Sequence, residues 1–102
     1  MPLRGYHEGD DQQMKRTVML IMLDNRNETA VNVQKILTGW GCLIKTRLGI
    51  HDGVLEGCTQ SGLIMLELVG EDEKHDELLR KLSLLKGVNA KLVRLHLETE
   101  PK

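Results

Sequence analysis

Two stretches of the chain are apolar in both phases of a strand. They are TVMLIML, Thr17–Leu23, and GLIMLELVG, Gly62–Gly70, where only Glu67 interrupts. Each is too short for a buried helix, so both predict strands covered on two faces. CLIKTRLGI, Cys42–Ile50, alternates instead: Ile44, Leu48 and Ile50 are expected on one side, Lys45 and Arg47 on the other. That alternation predicts a half-exposed strand at a sheet edge. VNAKLVRLHL, Val88–Leu97, predicts a last strand. Its apolar phase switches between Leu92 and Val93, which calls for a bulge or a change of cover.

Helical periodicity fills the gaps. From Thr29 to Thr38, Ala30, Val33 and Leu37 recur at i, i+3, i+7 with Ile36 beside them, one apolar stripe. The preceding turn, DNRNE, offers Asn25 or Asn27 as a cap and sets Glu28 near the positive helix end. Gly39-Trp40-Gly41 is expected to stop this helix through a left-handed glycine, with Trp40 as a lid on the core. A second helix is predicted from about Asp72 to Lys86, with Leu78, Leu79, Leu82 and Leu85 inward and Gly87 at its end. Its acids, Glu71 to Glu77, lie early and Arg80, Lys81 and Lys86 lie late, as the helix dipole favours.

The order β-α-β-β-α-β predicts an α+β, ferredoxin-like sandwich of two helices on a four-stranded antiparallel sheet. In that topology the first and third strands are central, which agrees with their two apolar phases. Two helices cover only one sheet face. The other face, left bare, is a larger apolar patch than soluble monomers usually tolerate. A homodimer or higher homo-oligomer through the sheet face is therefore expected. Residues 1–16 read as a flexible N-terminal arm, 17–97 as the domain and 98–102 as a solvated tail; Met14 is a second candidate start.

Composition narrows the function classes. Of 102 residues, 40% are hydrophobic and 28% charged, and the net charge is -1. Neither a basic stripe for direct nucleic-acid contact nor a polybasic or apolar segment for a membrane is present. Cys42 and Cys58 do not make a disulfide framework, and the start of the chain lacks an apolar signal segment, so a cytoplasmic location is expected. No cofactor is required by the sequence.

Candidate chemistry is sparse. His51 and Cys58 share one loop and carry good metal-ligand atoms, but the spacing is loose and only a second chain, Cys42 or Glu56 could complete a site. Cys58 is also the candidate for thiol redox chemistry. His75 is expected on the charged face of the second helix, and His96 near the chain end. The DNRNE turn, with Asn25, Asn27 and Glu28, opens a helix whose first N–H groups can take a small anion or carboxylate. Lys45, Arg47, Lys91 and Arg94 are expected to block the sheet edges or to form a basic face. The methionines read as core filler. No nucleophile, base or paired-acid frame stands out, so an enzyme is not expected.

TRLGIHDG, GLIMLELVG and LLRKLSLLKGVNAKL together resemble the small ACT-like iron-only hydrogenase system regulators. The shared rhythm is R-x-G-I, an apolar strand, and a helix running into G-V-x-hydrophobic-K over about residues 16–95. The resemblance implies an oligomeric, non-enzymatic regulatory module. Its ligand would bind at a chain interface, and its partner would be a hydrogenase-system protein; the candidate ligand positions offered by the turn and the loop described above are Asn25, Asn27, Glu28, His51 and Asp52. The Pro-Gly that follows the first strand in many amino-acid-binding ACT domains is absent; DNRNETAV stands there. A metal- or redox-responsive module using His51 and Cys58, and a pure assembly protein, are the alternatives.

Overall fold

The computed structural model describes residues 14–24, 26–50 and 61–98, with Ile50 described by its backbone only. The elements are β1 (Lys15–Asp24), α1 (Asn27–Gly39), a 3-10 turn (Gly41–Leu43), β2 (Ile44–Ile50), β3 (Ser61–Leu68), α2 (Asp72–Ser83) and β4 (Val88–His96). The sheet order is β2-β3-β1-β4, every neighbour antiparallel, and β1 and β3 are central. This is the expected ferredoxin-like α+β fold.

The core lies between the sheet and the helices. Met19, Ile21 and Leu23 from β1 and Ile64, Leu66 and Leu68 from β3 are buried, with Val33 and Leu37 of α1 and Leu78 and Leu82 of α2 against them. Cross-strand register puts Met19 beside Leu66 and Leu92, and Ile21 beside Ile64 and Ala90, so one phase of each strand faces the helices. Trp40 packs half-buried against this core, as a lid.

Several local expectations change. α1 begins at Asn27, which makes Arg26 the N-cap, and Arg26 makes no side-chain cap bond. Asn27 is therefore the first helical residue and not the cap. Among the described glycines only Gly70 and Gly87 have positive φ, so α1 ends on Trp40 (φ -108°, ψ 17°) rather than on a left-handed glycine. α2 ends at Ser83, with Leu84 at its C-cap, short of Lys86.

The phase break lies in β2, not β4. β4 pairs with β1 without interruption from Lys15↔His96 to Leu23↔Val88, so its apolar switch is a change of cover. β2 slips against β3 between Ile44 and Thr46. One extra residue reverses the alternation. Ile44, opposite Leu68, packs on the helix-side core, whereas Leu48, opposite Met65, stands on the other face.

That other face carries Val18, Leu20 and Met22 of β1, Leu63 and Met65 of β3, Leu48 of β2, and Val93 and Leu95 of β4. Met22 is 53% exposed and Leu95 56%. Of the described methionines, Met19 alone is fully buried; Met22 and Met65 belong to this open face. Arg16 and Glu67 form an ion pair at its rim, 2.5 Å between Nε and Oε2.

Candidate functional site

Two strand-to-helix turns bring chemistry to the ends of the central strands. The first, between β1 and α1, contains the predicted DNRNE residues. Asn27 and Glu28 occupy the exposed first turn of α1. Asn25 lies outside the described residues. The turn is organised by Asp24, which had not been singled out. Its Oδ1 accepts the Arg26 N–H at 3.1 Å, and the Thr29 hydroxyl bonds to the same carboxylate. The Thr29 bond, and then the Arg26 N–H, hold the Asp24 carboxyl below its ordinary range. Arg26 adds a looser ion pair at 3.8 Å. Behind the turn, the Asp24 N–H donates to the Gly87 carbonyl at 2.9 Å. Gly87 has φ +82°, and a Cβ there would run into the Asp24 carboxylate. The glycine expected to end α2 thus makes room for the carboxylate that organises the turn before α1.

The remaining predicted site residues, His51, Asp52 and Cys58, lie outside the described residues. No group of three or more potential metal-ligating side chains occurs among the described residues. Cys42 is a free, exposed thiol on the 3-10 turn.

The second turn, between β3 and α2, opens a cleft of about 840 Å³ that reaches Lys15, Lys45, Glu71, Asp72, Glu73 and His75. His75 is not on the charged face of α2: it is 1% exposed. It continues the Leu78–Leu82 stripe at i-3 and i-7, a spacing visible in the sequence and masked by the polar residue type. Nε2 of the ring lies 2.7 Å from the Val69 carbonyl and donates to it. Nδ1 is buried without a hydrogen-bond partner, 4.0 Å from Asp72 Oδ1.

Asp72 is the centre of this cluster. Lys15 Nζ contacts both its carboxylate oxygens, at 2.7 and 2.8 Å. The Lys15 hydrogen bond is the main cause that lowers the Asp72 carboxyl, with the Arg94 charge adding to it. Arg94 reaches Asp76 at 2.9 Å, while its Nε is buried, unpartnered and 3.6 Å from Asp72 Oδ1. Part of the early acidic run is therefore engaged rather than freely solvated.

The expected basic face does not assemble. Arg94 is turned toward α2, and Arg47 bonds Gln34 of α1 at 2.5 Å. Of the four basic edge residues, Lys45 and Lys91 stay exposed and make no ion pair among the described residues.

No protein-family model matches the chain, and no curated protein matches it. Solved structures do. An uncharacterized protein of Thermotoga maritima superposes with TM-score 0.67 and 27% identity, covering 79% of this chain and 98% of that one. The ACT domain of GTP pyrophosphokinase from Chlorobium tepidum superposes with TM-score 0.58 and 16% identity, covering 86% and 94%. A formyltetrahydrofolate deformylase of Pseudomonas putida shares the fold over 76% of this chain, 28% of its own length, with TM-score 0.50 and 13% identity. The chain has an ACT-like, ferredoxin-like fold. No helix among the described residues is long and apolar enough to cross a membrane.

Proposed function

We propose that this chain is a non-enzymatic regulatory module that senses a small molecule and works as at least a homodimer through its open sheet face. The observation that carries the reading is the apolar face opposite the helices, centred on Leu20 and Met65. Four strands about 4.8 Å apart and about eight residues long make a face on the order of 500 Å². Two such faces pressed together bury on the order of 1,000 Å², the lower bound of a specific interface. The Arg16–Glu67 pair lies at the rim, where charge is tolerated.

The effector reading rests on the ACT-like fold and on the first turn. Asn25, Asn27 and Glu28 at the start of α1, with His51 and Asp52 from a neighbouring chain, are the residues we assign to it. The unpaired N–H groups of the first helical turn suit a carboxylate or another small anion. Association with a hydrogenase system is part of the proposal and rests on the family likeness of TRLGIHDG, GLIMLELVG and LLRKLSLLKGVNAKL alone. A metal- or redox-responsive role of His51 and Cys58 is the competing reading. Metal analysis of untagged protein, before and after zinc or nickel addition, decides against it if no metal is held or taken up.

Sedimentation tests the assembly. A dimer or larger species is expected at micromolar concentration, and Leu20→Lys or Met65→Lys should convert it to a folded monomer. Wild-type protein that stays monomeric at every concentration removes the assembly reading. A thermal-shift screen of metabolites tests the sensing, because a ligand of the folded state raises Tm.

A further inference from the structure

The cleft at the start of α2 is separate from the turn assigned above and carries its own chemistry. His75 is buried at its base, and its one free ring atom, Nδ1, has no partner. Because Nε2–H donates to the Val69 carbonyl, Nδ1 of the neutral ring carries the lone pair. Asp72 Oδ1, also an acceptor, stands 4.0 Å away. One atom bearing two or more N–H or O–H bonds satisfies both acceptors at ordinary hydrogen-bond lengths of about 2.8–2.9 Å. Asp72 has room for it. A carboxylate offers about four lone-pair sites; Lys15 engages each oxygen once, and the Arg94 Nε stands 3.6 Å from Oδ1 without closing a hydrogen bond.

Charge selects among such donors. Lys15 and Arg16 are neutralised by Asp72 and Glu67. Of the other charged groups that line the cleft, Glu71 and Glu73 make no side-chain hydrogen bond among the described residues and outnumber the single unpaired cation, Lys45; Arg94, beyond the lining, acts on Glu73 from behind Asp72. The positive end of α2 is already met by Glu71, Asp72 and Glu73, so an anion gains little there. We propose that this cleft binds a small primary ammonium compound, whose N–H groups bridge His75 Nδ1 and Asp72 Oδ1. The mouth beside Lys45 suits a second, carboxylate end on the same molecule.

The test uses the full chain, 15N-labelled at histidine, in mildly alkaline buffer. Methylammonium is the probe, and tetramethylammonium, with the same charge but no N–H, is the control. Methylammonium is expected to raise Tm saturably and to shift the His75 15Nδ1 resonance, with tetramethylammonium doing neither. Asp72→Asn should weaken methylammonium binding about tenfold or more, the loss of a charge-assisted hydrogen bond. If that variant does not fold, Lys15→Met replaces it: removing the resident ammonium from Asp72 should tighten binding. An Nδ1 resonance unmoved at high methylammonium assigns the position to a buried water and overturns the proposal. Equal effects of the two cations, or unchanged affinity in the variant used, overturn it as well. None of these outcomes bears on the assembly through the open face or on the turn before α1, which have their own tests.

Discussion

The two strand-to-helix turns occupy equivalent places in the two halves of the fold, yet they resolve the same problem differently. Each follows a central strand, opens a helix without a side-chain cap bond, and has a positive-φ glycine behind or within it. At the first turn a local carboxylate, Asp24, gathers Arg26 and Thr29, and Gly87 gives it space. The result is a nearly closed knot of short-range bonds. At the second turn the corresponding carboxylate, Asp72, lies inside the helix and is held from far along the chain, by Lys15 and Arg94. Two buried nitrogens beside it remain without partners. Among the described residues, local closure leaves no buried side-chain polar atom without a partner at the first turn, whereas long-range closure leaves two beside a lined cleft at the second.

The glycines test this contrast most severely. Gly87→Ala forces a left-handed alanine against the Asp24 carboxylate and should cost about 2–4 kcal/mol. Gly70→Ala, at φ +97°, meets only the movable end of Leu43 and should cost about 1–2 kcal/mol. Denaturant unfolding of the two variants measures the difference. Equal losses would mean that the first turn is no tighter than the second.

Next comes the hydroxyl. Thr29→Val keeps the shape of a buried residue and removes its bond to Asp24, with an expected loss of about 1–2 kcal/mol. It should also change the acid limb. A carboxyl held below its ordinary range in the folded state contributes stability above that range and loses it as pH falls through the folded value. Asp24, Glu67 and Asp72 all have this direction. In Thr29→Val the Asp24 share shrinks, so stability should fall less steeply with acid than in the wild type.

The smallest effect is expected at the second turn. Lys15 and Asp72 are about a third or more exposed, and such pairs contribute below about 1 kcal/mol. Lys15→Met should cost little in denaturant unfolding, and the loss should vanish in high salt. A large, salt-insensitive loss would show that this cluster is a structural knot like the first and not an open cleft.

The element order, and the central placing of β1 and β3, could be read from the residues because burial on two faces leaves no polar phase in a strand. The inward stripes of α1 and α2 were legible for the same reason: helical period is a local property. His75 was misread because an imidazole looks polar, although its spacing to Leu78 and Leu82 marked it as buried. Asp24 escaped notice because its importance depends on Gly87, which is remote in the chain. What the sequence alone determined is thus the set of local periods and the fold they permit. The tertiary structure decided which face Leu48 joins, after the slip in β2, and which carboxylate meets Lys15, 57 residues away. Register and long-range pairing depend on where whole strands settle against one another, and no local pattern carries that information.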